Sequence, residues 1–409
     1  MDERAIVDGI QVGQTEETDE RIKVLVVDDT VTIRRLVSNA LDAEDDIVVV
    51  GTASNGRSAL SKIEQLKPDV VTLDVEMPDM DGLQTLAALR DARKSVPVIM
   101  FSTLTARGAR ATIEALALGA ADYITKPSSG NITESMNLIR EDLVPKVRSL
   151  AKRKPGTKPP SRLVPSAPAE YQDRPETKPP SIYELKKRPI QLRRAPIVAR
   201  PVEIVAIGVS TGGPNALSVM LPLLPKSIEV PIVIVQHMPP MFTALLAERL
   251  SNHCQIPVTE VDSPRQLHGG MMYVAPGGRH MVVERRGQDR WLTLNDDPPE
   301  NSCRPAVDVL FRSVAQEFGP GVLGVILTGM GHDGLVGSES ICHAGGRVIV
   351  QDEATSVVWG MPGSVASAGF AEAILPIEVI ADEIIKRSAY RSPHRAAPVK
   401  TQTNSSLVE

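Results

Sequence analysis

Aromatic residues are scarce, at 3% of the 409 positions. Any core must therefore be built from Val, Ile, Leu, Ala and Met. No apolar run approaches the roughly 20 residues a membrane-spanning helix needs, which argues against membrane insertion of that kind. The stretch Met1–Lys23 is acidic and lacks the apolar segment of a signal peptide; residues 1–20 read as a disordered leader. Cysteine is equally thin. Cys254, Cys303 and Cys342 are an odd, scattered set that builds no disulfide framework and suits a reducing cytoplasm. His253-Cys254 and Cys342-His343 lack zinc-ligand spacing, and the three thiols read as small buried hydrophobes.

What is present is ordinary for globular protein: 42% hydrophobic and 23% charged residues. The length exceeds what one core supports, so two domains are expected. Between Val147 and Arg200 lie ten Pro, fourteen Lys and Arg, and four Asp and Glu. Proline blocks regular structure, and too few apolar residues remain to order the segment. Residues 148–200 read as a basic, semi-extended linker. Its net charge of +10 against −5 for the chain leaves the rest at −15. A solvated tether is the plain reading, and a strip that contacts an acidic partner is the sharper one.

Before the linker, strand-like and helix-like segments alternate: RIKVLVV, DIVVVGTA, PDVVTLD, VPVIMFS and ADYIT, each followed by a helix pattern. Near-continuous apolar strands between helices predict a parallel sheet covered on both faces, in a doubly wound α/β fold. After the linker the rhythm resumes with VEIVAIGVS, VPIVIVQH, GVLGVILTGM and GGRVIVQD, and with the shorter MMYVAPG and HMVVERR. This predicts a second, larger α/β domain over 201–389, followed by a disordered tail over 390–409.

Ligands of open α/β sheets bind at the carboxyl ends of the strands. Three acids of the first domain, over 21–147, fall there: Asp28 and Asp29 after the first strand and Asp74 after the third. Carboxylates this close repel unless a hard cation such as Mg²⁺ lies between them. One of them could then attack a phosphoryl group. Ser102 ends the fourth strand and Lys126 follows the fifth, placed to meet phosphoryl oxygens. The pattern of DD, D…MPDMDG, S and KP resembles the receiver domain of two-component response regulators. The resemblance implies a flavodoxin-like (βα)5 fold with Asp74 as the phospho-acceptor. It also implies Mg²⁺ held by Asp28, Asp29, Asp74 and the Glu76 carbonyl, Ser102 and Lys126 as phosphoryl sensors, and a cis Lys126-Pro127 bond.

The second domain opens with a G-x-S-x-G pattern, Gly208 to Gly212, between a strand and a helix. Ser210 would sit at a helix N-terminus that favours negative charge, either as a nucleophile or as an anion ligand. His237 ends the next strand and Asp333 follows a later one. All three land on one carboxyl edge, as a Ser-His-Asp triad requires. The order Ser…His…Asp differs from that of α/β-hydrolases. His332, beside Asp333, is a weaker candidate for the base.

The segments GVSTGGP, QHMPPMFT, YVAPGGRHM, RPAVDVLFRSVA and TGMGHDG resemble the catalytic domain of the chemotaxis methylesterase family (CheB). The resemblance implies Ser210 as nucleophile, His237 as general base and Asp333 as its orienter. The oxyanion donors would be the backbone N–H groups of Thr211 and Met330. It further implies hydrolysis of glutamate methyl esters on chemoreceptors with release of methanol, deamidation of receptor glutamines, and no cofactor for the esterase. A histidine kinase would activate the enzyme through Asp74. A transcriptional regulator would need a helix-turn-helix output, which the β-α alternation lacks, so no nucleic-acid partner is expected. A small-molecule esterase and a phospho-dependent scaffold are the remaining alternatives.

Overall fold

The computed structural model describes residues 20–127, 132–151, 190–194 and 200–389. The leader, most of the linker and the tail lie outside them. In the first domain every strand is apolar and bounded by a turn or cap. The elements run β1 (Ile22–Val27), α1 (Val31–Asp42), β2 (Ile47–Ala53), α2 (Gly56–Leu66), β3 (Val70–Asp74), α3 (Gly82–Asp91), β4 (Val98–Ser102), α4 (Ala106–Ala117), β5 (Asp122–Thr125) and α5 (Ile132–Ala151). Helix starts are written in the sequence: Asn55 caps α2, Thr105 caps α4, and Asp81 with Gln84 makes a capping box on α3. The strands form one parallel sheet of order β2-β1-β3-β4-β5. The chain reverses direction across the sheet between β1 and β3, which opens a crevice at their carboxyl ends. Helix α5 continues past residue 147 and carries Pro145 inside it.

The second domain contains β6 (Ile204–Val209), α6 (Gly213–Met220), β7 (Ile232–Gln236), α7 (Phe242–His253), β8 (Val258–Glu260), β9 (Arg265–Gln266), β10 (Met272–Val274), β11 (His280–Arg286), β12 (Asp289–Asn295), α8 (Val307–Phe318), β13 (Val322–Ile326), α9 (Leu335–His343), β14 (Arg347–Gln351), α10 (Met361–Ser367), β15 (Ala373–Leu375) and α11 (Ile377–Ser388). Seven strands form a parallel sheet, β15-β14-β13-β6-β7-β10-β8. Here the chain winds outward from β6 in both directions, so the crevice opens at β6 and β13. The sequence did not signal the small antiparallel sheet β11-β12-β9 that flanks this one.

Gly208 lies against Val307 and Ile326, where a Cβ would come within 2.3 Å of the Val307 side chain. That close approach seats α8 directly over β6. Described pieces of the linker region are docked: Arg193 donates to the Gly346 and Cys342 carbonyls at 2.9 Å each. The cis peptide among the described residues is Arg304-Pro305, not the expected Lys126-Pro127.

Candidate active site

Strand β6 delivers Ser210 into a tight turn. Gly212 takes φ 77°, and a Cβ there would meet Val357 at 2.4 Å. At Gly213 a Cβ would lie 2.0 Å from Gln236 Oε1. Glycine at both positions is therefore a steric requirement of the turn. Val209 and Gln236 are register partners on β6 and β7, so Ser210 and His237 leave neighbouring strand ends side by side.

His237 Nε2 lies 2.8 Å from Asp333 Oδ2. Asp333 is buried and heavily solvated by protein N–H groups. It accepts from Val307 N at 2.6 Å, Asp308 N at 3.0 Å, Gly334 N at 3.0 Å and Asn301 Nδ2 at 2.9 Å. Two of these donors open α8, whose N-terminus favours a carboxylate. Burial pushes Asp333 upward, but the His237 contact and these donors outweigh it and hold the carboxyl below its ordinary range. Burial opposes charge on His237. Asp333 and Cys303 overcome that, and the imidazole is raised to about 10. The second ring nitrogen, Nδ1, faces Cys303 Sγ at 3.5 Å. Ser210 Oγ makes no hydrogen bond among the described residues. The N–H groups of Thr211 and Met330 donate none either, and both flank Ser210 in the chain or through Gly329, which packs on the Ser210 Cβ. The His332 ring forms no hydrogen bond among the described residues.

In the first domain, oxygens of Asp28, Asp29 and Asp74 lie within 4.8 Å of one another. Asp28 and Asp74 are buried and Asp29 is exposed. Lys126 Nζ stands 2.8 Å from Asp28 Oδ2 and from Asp74 Oδ2, off the direction of a hydrogen bond; no aligned donor reaches either oxygen. Burial raises Asp74 to about 6, with the Asp28 charge adding to it and the Lys126 contact opposing it. Two buried carboxylates drawn together on one ammonium, plus a third acid at the rim, fit a hard divalent cation. Ser102 is buried, its Oγ donating weakly to Thr103 O at 3.3 Å. The Glu76 side chain turns away to Arg107 at 3.3 Å, while its N–H reaches Asp74 Oδ1 at 3.3 Å.

The sequence model described as CheB methylesterase matches residues 205–384, and that described as response regulator receiver domain matches 24–137. Over 369 residues the chain is 50% identical to the protein-glutamate methylesterase/protein-glutamine glutaminase of Trichodesmium erythraeum, covering 90% of this chain and 99% of that protein. The chain belongs to the CheB methylesterase family. The relative of the same name from a Nocardioides species is 47% identical over 373 residues, covering 91% and 97%. The crystal structure of the Thermotoga maritima CheB methylesterase catalytic domain aligns at 40% identity, covering 46% of this chain and 99% of that chain, with a TM-score of 0.45.

In this CheB-family chain the receiver contacts the second domain beside Ser210. Thr211, next to Ser210, donates its hydroxyl to Asp122 Oδ2 of the receiver at 2.8 Å, and both groups are buried. Asn215 Nδ2 donates to Ala120 O at 3.0 Å. The Tyr123 and Phe242 rings stack with centroids 4.9 Å apart. Helix α4 packs against α6 and α7. Sequence reasoning did not find Asp122, Asn301 or Cys303, because each acts through a contact far along the chain.

Proposed function

We propose that this chain is a receiver-controlled serine esterase that hydrolyses glutamate γ-methyl esters on chemoreceptors and deamidates receptor glutamines. The observation that carries it is the 2.8 Å bond between His237 and Asp333, beside a Ser210 held on a glycine-dictated turn. Ser210 attacks the side-chain carbonyl while His237 takes its proton through Nδ1, since Nε2 is held by Asp333. The oxyanion is received by Thr211 N and Met330 N, donors worth roughly 3–4 kcal/mol each in such sites. His237 then protonates the departing methoxide, and water releases glutamate from Ser210. Deamidation follows the same acyl-transfer path with ammonia leaving.

The receiver runs from residue 21 to the end of α5 at Ala151 and the catalytic unit over 201–389, joined by the basic segment between them. Asp74 is the phospho-acceptor, supplied by a histidine kinase in the cytoplasm. Asp28, Asp29, Asp74 and the Glu76 carbonyl would hold Mg²⁺, which supplies charge neutralisation at the phosphoryl group. Ser102 and Lys126 bind phosphoryl oxygens. Unphosphorylated, the receiver occludes the Ser210 edge through Asp122, Tyr123 and Ala120.

The test is methanol release from a methylated chemoreceptor by wild type and Ser210→Ala, with and without Mg²⁺ and a small phosphodonor. Release that needs Ser210 and rises with phosphodonor is expected. Release without stimulation would keep the esterase and sink the control. No release from a receptor that another methylesterase demethylates would sink the substrate assignment.

A further inference from the structure

The triad does not use Cys303, yet the chain fixes it firmly beside His237. Glu300 and Cys303 exchange backbone hydrogen bonds at 3.1 and 2.9 Å, closing a tight turn. Within that turn Asn301 and Ser302 take φ of 52° and 62°, the left-handed region that non-glycine residues rarely enter. Three anchors hold the strained turn in place. Arg312 clamps the Glu300 carboxylate through two bonds of 2.6 Å. Asn301 Nδ2 donates to Asp308 Oδ2 and Asp333 Oδ1 at 2.9 Å each. The outcome is a thiol sulfur 3.5 Å from the imidazole nitrogen that Asp333 leaves open.

That separation matches a metal-ligand span. Zinc takes thiolate sulfur at about 2.3 Å and imidazole nitrogen at about 2.0–2.1 Å, in tetrahedral geometry. Those lengths at a tetrahedral angle place sulfur and nitrogen roughly 3.6 Å apart. The observed 3.5 Å between Cys303 Sγ and His237 Nδ1 is close to that span. Asp333, on the opposite ring nitrogen, plays the part of the carboxylate that orients a ligating histidine. The remaining coordination positions fall to water.

We propose that His237 Nδ1 and Cys303 Sγ form a binding site for a soft divalent cation of the Zn²⁺ type, whose binding shuts off the esterase. On binding, the Cys303 thiol and the His237 imidazolium each release a proton to solvent, and the freed sulfur and Nδ1 lone pairs go to the metal. The metal then occupies the nitrogen that has to accept the Ser210 proton. Mg²⁺ would not substitute, because it prefers oxygen ligands. The receiver's acidic pocket and this site therefore select different ions.

Binding stands apart from the esterase reading, whereas inhibition rests on it, so the test reads both separately. Metal-free full-length protein is titrated with Co²⁺ and watched for a thiolate-to-cobalt charge-transfer band. Wild type, Cys254→Ser and Cys342→Ser should show the band; Cys303→Ser and Cys303→Ala should not. A band that survives in both Cys303 variants, or its absence from wild type, overturns the site. In parallel, Zn²⁺ is titrated into methanol release with Mg²⁺ and phosphodonor present, each variant scored against its own zinc-free rate. Wild type should lose at least about tenfold of its activity and regain it with a chelator. The Cys303 variants should need at least about tenfold more Zn²⁺ for the same loss. Equal zinc sensitivity in wild type and both variants overturns the switch. If zinc-free release proves independent of Ser210, the esterase reading fails while the cobalt band still reports on the site.

Discussion

Removing one carboxylate at the domain contact should switch the enzyme on without phosphorylation. Asp122 lies in the receiver, and its Oδ2 accepts the Thr211 hydroxyl at 2.8 Å. Thr211 and Asp122 are only 5% and 6% exposed, so water cannot replace the bond while the domains are closed. In an open form both groups are solvated. A hydrogen bond to a charged group contributes about 1.5–3 kcal/mol net, and its loss strands a buried hydroxyl only in the closed form. Asp122→Ala should therefore move the closed-to-open equilibrium by roughly 10- to 150-fold toward open. Lys146, 3.5 Å from Asp122, keeps Asp142 at 2.9 Å as a partner, so the substitution does not leave a bare buried ammonium. Asp122→Asn keeps the shape and an acceptor, and should give a smaller, few-fold rise. The assay is methanol release without phosphodonor, alongside phosphoryl uptake at Asp74 to show an intact receiver. Stimulation by phosphodonor should shrink as the basal rate rises. A basal rate within about twofold of wild type, with uptake intact, would refute the argument.

Asp333→Asn should cut kcat by about 10³- to 10⁴-fold, because the amide no longer favours the working His237 tautomer, and should also lower the melting temperature, because its NH₂ faces backbone N–H donors that the carboxylate accepted from; a loss of activity under about tenfold would remove Asp333 from the triad. Activity needs neutral His237, and Cys303 is among the groups that raise its pKa to about 10. Cys303→Ser should accordingly shift the acid limb of the kcat/KM profile to lower pH; an unmoved limb would contradict this. Asp74 is raised from 3.8 to about 6, so the folded state prefers it protonated. That preference stabilises fully below the ordinary carboxyl value and is lost as pH rises through 6. Above that, without divalent cation, ionised Asp74 costs stability, and Asp74→Asn should unfold about 1–2 kcal/mol later in urea once screening is discounted. The gap should open between pH 4 and 6 and then stay level; a gap independent of pH would refute the assignment.

The parts of both sites that were legible in the sequence all sit at strand ends. Asp28, Asp74, Ser102 and Lys126 follow apolar runs too short for helices, and parallel pairing carries their ends to one edge. Ser210, His237 and Asp333 obey the same logic around β6, β7 and β13. The strand period fixes such positions locally, so no tertiary knowledge is needed. Cys303 is different. It meets His237 across 66 residues through a turn whose two left-handed residues are Asn301 and Ser302. Asn tolerates that conformation but Ser does not favour it, and the bonds from Arg312 and Asp308 that hold the turn come from α8. The Asp122–Thr211 contact spans 89 residues and joins the two domains. Nothing in either local pattern encodes which face of the receiver meets the esterase. Of the antiparallel β11-β12-β9 sheet only β11, the HMVVERR run, was legible as a strand, and β9, Arg265–Gln266, is too short at two residues to leave a pattern.

The two sites share a single short strand, and this gives the control a physical route. Strand β5 begins at Asp122, which holds Thr211, and ends at Thr125, next to Lys126, which holds Asp28 and Asp74. About 10 Å of extended chain separates its ends. Its register against β4 pairs Asp122 with Ile99 and Thr125 with Ser102, and Lys126 N is tied to Ser102 O at 2.7 Å. A phosphoryl group on Asp74 would compete for Lys126 and attract the Ser102 hydroxyl, which acts on both strands at one end. A paired strand cannot absorb that pull by stretching, and packed contacts such as the Tyr123–Phe242 stack do not deform gradually. The displacement must therefore either stop at the receiver pocket or reappear at Asp122 as a broken contact with Thr211. On the proposed reading, in which the Thr211 N–H receives the oxyanion, releasing its side chain would uncover Ser210 and free the residue beside it in the same movement.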